Sequence, residues 1–191
     1  MRRFSFGPSL AIKGRKFKGL RGYAGKPFHP PLTDVPITAY MFGAVFDVLS
    51  LLLHDDHEQL ATELFRAGTW VFLGGAAVSV LAALTGLADW HRSSQPGTQA
   101  RRTINAHAII MITVTVLTLV DLAIRLSDND AAYTSAGLMV LSVVIAALVS
   151  TGATYGGTLV YDYGFNVETA GDSPVWHESE TDVYPGAKSG A

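Results

Sequence analysis

The chain contains no cysteine. That excludes disulfides, thiolate nucleophiles, Cys-held zinc and iron–sulfur clusters bound by Cys alone, and it leaves the redox compartment unread. Charge is also scarce: 16 % of the 191 residues are Asp, Glu, Lys or Arg, against ~25 % in a soluble domain. No nucleophile–base arrangement, phosphate loop or pair of catalytic carboxylates is found, so no catalytic residue is assigned and an enzyme is not the expectation. The scarcity of charge is concentrated. Residues 35–53 hold one acid (Asp47), 69–88 none, 103–124 one (Asp121) and 131–161 none. About 20 apolar residues cross a hydrocarbon core ~30 Å thick. The expected fold is therefore all-α: a polytopic membrane protein with an antiparallel four-helix transmembrane bundle. Spans are expected at about 35–53, 69–88, 103–124 and 134–156, within a domain at 35–161. A basic arm (1–34) precedes it and an acidic tail (162–191) follows.

The charges present are segregated. Residues 1–34 hold eight Lys/Arg against Asp34 alone, and the connection after the second apolar stretch holds Arg92, Arg101 and Arg102. The other two connections hold only Arg66 and Arg125. Lys and Arg near span ends favour the cytoplasmic side, so the arm, the second connection and the tail are expected in the cytoplasm, on the inner membrane. The arm lacks the 7–15-residue apolar run of a secretory signal. It reads as a surface-hugging segment drawn to anionic headgroups. Nucleic acid is not an expected partner, because the positive charge is modest and no folded reader accompanies it. The tail reads as flexible; docking of residues 174–184 on a partner is the alternative.

Most punctuated motifs then converge on the inner face. His29-Pro30-Pro31 precedes the first span, Thr85-Gly86 and Asp89-Trp90 close the second, and Arg101-Arg102 with Asn105 and His107 open the third. His107 would lie about 6 Å inside its span, where an imidazole needs partners or a ligand. His29 and His107 are the candidate cofactor ligands, with Asp34, Asp89 and Asn105 in support. Two readings stand: axial ligation of a b-type haem or binding of a metal, and a purely architectural knot in which His107 bonds Asp89 while Asp34 caps the first helix ahead of Pro36. At the other face, Asp47 and Asp121 sit at similar depth, and Arg125 follows Asp121 by one helical turn. An ion clasp joining the first and third helices is one reading; a proton or cation pathway through Asp47 and Asp121 is another. His54 and His57 among Asp55, Asp56 and Glu58 read as a solvated helix end, or a loose divalent-ion site. Small residues at helical spacing in the second span (Gly75, Ser79, Ala82, Gly86) and the fourth (Ala146, Ser150, Ala153, Gly157) are expected packing faces.

The segment Gly25-x-Pro27-x-His29-Pro30-x-Leu32-x-Asp34-x-Pro36-Ile37 resembles the opening motif of the domain-of-unknown-function 2231 family of small bacterial membrane proteins. Thr85-Gly86-Leu87-x-Asp89, His107 after an arginine pair, and Gly156-Gly157-x-Leu159-Val160-Tyr161 with Gly164 and Val167 fit the same pattern, over about residues 25–167. The resemblance implies four spans and no demonstrated activity. It also implies a link to respiratory or redox modules, since some members are fused to Rieske-type iron–sulfur or cytochrome c segments. His29 and His107 match the family's histidines and are the ligands it implies. Lys26 and Asp34 stand where many relatives have histidine, which leaves fewer imidazoles for iron. With no CxxCH segment, a respiratory or iron–sulfur partner would be a separate protein. The function expected is that of an integral-membrane accessory protein, redox-linked through haem or a metal or through docking an electron-transfer partner. A cofactor-free structural or assembly protein is the alternative.

Overall fold

The computed structural model of the protein describes Leu20 and residues 27–166. Four helices run in succession: α1 (His29–Leu53), α2 (Glu58–Ser93), α3 (Gln99–Ser127) and α4 (Ala136–Tyr161). Each is long and apolar enough to cross a membrane. The rest of the basic arm and the acidic tail beyond Asn166, including the alternative docking segment at 174–184, lie outside the described residues.

All four helices outrun their expected spans. Low charge marks the part of a helix that meets hydrocarbon, whereas the helix itself continues wherever propensity and packing allow. At about 1.5 Å per residue, the 36 residues of α2 reach far beyond a ~30 Å core on both sides. The connections shrink accordingly, to four residues after α1, five after α2 and eight after α3, where ten to fifteen were expected. α4 continues unbroken to Tyr161 rather than ending near residue 156.

Helix starts follow local chemistry, with one correction. Thr98 and Ser135 accept hydrogen bonds from the backbone N–H groups of Arg101 (3.1 Å) and Leu138 (3.3 Å) and so cap α3 and α4. Gly97, at φ +83°, makes the left-handed turn ahead of Thr98. The expected cap at Asp34 is not formed. α1 begins at His29, with Phe28 at the cap position, because Pro30 and Pro31 fit the first turn, where their missing N–H groups have no helical partner to lose. Asp34 therefore lies inside the helix, as does Pro36.

The helices pack as a square. α1 contacts α2 and α4, and α3 contacts α4 and, more thinly, α2; α1 and α3 face each other across one diagonal. Glycines on α2 let α1 approach closely. A Cβ on Gly75 would lie 2.7 Å from Ala39 Cβ, and Phe72 stacks on Tyr40 with ring centres 5.5 Å apart. Tyr40, Phe72, Val114, Leu122, Ile145 and Val149 form the centre of the core. The small-residue face expected on α2 is the packed one: Gly75 and Ala82 are buried, Ser79 and Gly86 partly so. On α4 the expected face is misplaced. Ser150 is exposed and donates to its own helix at Ala146 O, while Ser142, Ile145, Val149 and Gly152 are buried. Small residues occur all around α4, so their spacing selects no face. The outer surface carries Leu52, Trp70, Ile109 and Ile112, each more than three-fifths exposed. An apolar girdle of this kind meets lipid tails.

Candidate functional site

Two constellations occupy opposite ends of the bundle, and both bridge the α1–α3 diagonal. The first is an imidazole pair at the end carrying Arg92, Arg101 and Arg102. His29 opens α1 and His107 lies eight residues into α3, yet their ring centres are 6.5 Å apart with planes at 88°. They meet because α1 starts level with Gly86, two turns short of the end of α2. The glycines opposite make the room. A Cβ on Gly86 would come within 2.8 Å of His29 Cε1, and one on Gly156 within 3.4 Å of His107 Cε1.

Each ring is held in the same way. His29 Nδ1 lies 2.9 Å from the carbonyl oxygen of Ala82, and His107 Nδ1 lies 2.8 Å from that of Gly152. A carbonyl only accepts, so each Nδ1 must carry a proton, and in the neutral imidazole each Nε2 then offers its lone pair. Thr85 Oγ1, 3.3 Å from His29 Nδ1, adds a second contact. An imidazole fixed through Nδ1 to a backbone carbonyl is the arrangement that orients a metal-ligating histidine.

The supporting residues expected from sequence do not join this pair. Asp34 is exposed on α1. Asn105 is exposed on α3 and accepts the indole N–H of Trp90 at 2.8 Å, in a surface knot where the Arg101 guanidinium lies 3.8 Å from the Trp90 ring centre. Asp89 is buried but accepts the backbone N–H of Leu20 at 3.3 Å, and Leu20 in turn accepts that of Phe28. Asp89 thus ties the arm to the bundle mouth. The expected His107–Asp89 bond is replaced by the Gly152 carbonyl. Sequence reasoning named Gly86 as a packing residue and Gly156 in a family motif without linking either to a histidine, and it missed the two carbonyls, which leave no signal in sequence.

The second constellation lies at the acidic end. Arg125, fully buried, donates through Nε to Asp121 Oδ1 at 2.5 Å and through Nη2 to Asp47 Oδ2. Its guanidinium carbon is 4.7 Å from the Phe72 ring centre, and Gly68 leaves space for it on α2. Thr134 donates its hydroxyl to Asp47 Oδ1 at 3.0 Å and its backbone N–H to Ser50 Oγ at 3.0 Å. Ser50 donates onward to the Ala61 carbonyl. α1, α2, α3 and the α3–α4 connection are thereby joined. Nearby, His54 bonds the Leu51 carbonyl and stacks on Tyr133. Among the described residues no group of three or more His, Asp or Glu is placed to hold a metal ion.

Residues 25–169 match the model of a family described as "Predicted membrane protein (DUF2231)". No curated protein and no solved structure matches the chain.

Proposed function

Because the chain belongs to the DUF2231 family of predicted membrane proteins, we propose a function that resides within the bilayer: a redox-linked accessory protein that holds a b-type haem between His29 and His107. One observation carries this reading: two imidazoles on diagonal helices, each with Nδ1 fixed to a carbonyl and ring centres 6.5 Å apart. His29 and His107 would hold the group through the Nε2 atoms that their Nδ1 contacts leave free. Haem suits the pair better than a bare metal. A haem would be held by the two imidazoles alone, whereas a structural metal site needs three or four side chains. When bound, haem supplies one-electron chemistry by cycling its iron between ferric and ferrous states. The residues bind and orient: Ala82 and Gly152 hold the rings through their carbonyls, Gly86 and Gly156 keep the ring edges clear, and the lipid-facing girdle excludes water. The excess of Arg at this end supports a cytoplasmic orientation for it under the positive-inside rule. A respiratory or iron–sulfur electron donor would dock there, on the inner membrane of a bacterial cell.

The test is a reduced-minus-oxidised absorption spectrum of the full chain in mild detergent, after expression with ample haem, with bound iron measured in parallel. The expected result is a b-type spectrum that His107→Ala and His29→Ala each abolish. A colourless, iron-free wild type overturns the reading. The pair would then be an architectural contact, as in a cofactor-free assembly protein, a role that the ion cluster at the acidic end already supports.

A further inference from the structure

The acidic end encloses two carboxylates and one guanidinium, each fully buried. With all three ionised the cluster holds one uncompensated negative charge inside the bilayer, where an unpaired ion is costly. Among the described residues no other cation pairs with it. α2 contributes Phe65, Gly68 and Phe72, α1 contributes Ser50, and the connection before α4 contributes Thr134. Ser142 is the buried polar residue of α4, and Arg66 is exposed.

The two carboxylates are not equivalent. Asp47 accepts on both oxygens, from Arg125 and from Thr134. Asp121 accepts on Oδ1 only, and its Oδ2 is buried without a partner. One turn earlier on α3, Thr118 Oγ1 is likewise buried and unpartnered, and so is the Tyr40 hydroxyl, which approaches Thr118 and Ser79. A carboxylic acid at Asp121 would neutralise the cluster and place the proton on the oxygen that accepts no hydrogen bond.

We propose that this cluster is a proton-binding site, with the proton on Asp121 Oδ2 and Asp47 and Arg125 retained as the ion pair. The proton comes from water at the acidic face and adds to a carboxylate lone pair; no electron moves. The site is independent of the imidazole pair and stands whether or not that pair takes haem.

Infrared spectroscopy of the full chain in lipid vesicles at neutral pH tests it, because a protonated carboxyl absorbs apart from ionised carboxylates and shifts in D2O. The expected result is one D2O-sensitive carboxyl band in the wild type, absent from Asp121→Asn. Asp47→Asn should lose it too, since Asp121 then serves as the sole counter-ion of Arg125. Asp89→Asn, at the other end, should keep it. A wild type without the band, or a band that persists in Asp121→Asn or in Asp47→Asn, overturns the proposal. Should Asp121→Asn fail to assemble, the wild type and Asp47→Asn decide the matter.

Discussion

Arg125 ties α1 to α3 through two buried carboxylates. It spans the α1–α3 diagonal, and its planar fork meets two carboxylates at once, a geometry that a lysine ammonium does not reproduce. Arg125→Met leaves Asp47 and Asp121 buried without a cation, and breaking a buried pair in this way costs about 3–5 kcal/mol. Thr134→Val removes one hydrogen bond to a buried carboxylate, a loss of about 1–3 kcal/mol. Denaturant titration in detergent should therefore rank Arg125→Met well below Thr134→Val, with Arg125→Lys between Arg125→Met and the wild type. Equal stability of Arg125→Met and the wild type would contradict this account. The three charged members of the cluster were readable from sequence, since Asp121 and Arg125 are one turn apart and Asp47 lies at matching depth. Ser50 and Thr134 were not. A hydroxyl near a span end has many local carbonyls to satisfy it, so its type and position name no distant partner.

At the scale of elements, glycine placement decides how near α1 and α2 lie, and the effect is local. Gly74 and Gly86 lie on the same helix, yet a Cβ at Gly74 meets nothing within 4 Å while one at Gly86 reaches the His29 ring. Gly74→Ala should leave stability unchanged or raise it by up to about 1 kcal/mol, the usual helix-propensity gain. Gly86→Ala should displace the His29 imidazole and so weaken the haem binding proposed above, read in the spectrum of the purified protein, while the helix content by circular dichroism stays as in the wild type. The helices themselves were legible because each contains a run of about 20 uncharged residues. Their ends were not, because propensity and caps extend a helix past the lipid without leaving a hydropathy signal. The same limit explains the misplaced face of α4. Where Ala, Ser and Gly surround a helix, only the neighbour it packs against selects a side, and Ser150 faces outward because α4 meets α3 and α1 through Ser142, Ile145, Val149 and Gly152.

At the scale of the whole molecule, the square antiparallel arrangement places the imidazole pair and the ion cluster at opposite ends of the bundle, and the arginine count predicts which end faces the cytoplasm. Arg92, Arg101 and Arg102 lie with the imidazoles, whereas Asp55, Asp56, Asp128 and Asp130 lie with the ion cluster. The cysteine-free chain makes the orientation directly measurable, because a single introduced thiol has no native competitor. Asp128 is exposed in the α3–α4 connection, and Gly97 lies in the α2–α3 turn with open space around it. Asp128→Cys should react with a membrane-impermeant maleimide added to intact cells, and Ser127→Cys, exposed one residue earlier, should behave alike. Gln95→Cys, exposed beside that turn, should react only after the membrane is permeabilised. The reverse pattern would turn the molecule over: the imidazole pair would then face the outside, and any electron donor would have to reach it from there. The proton site would open to the cytoplasm instead. Neither site's chemistry would change, because both are set by contacts within the bundle, but the compartments they serve would be exchanged.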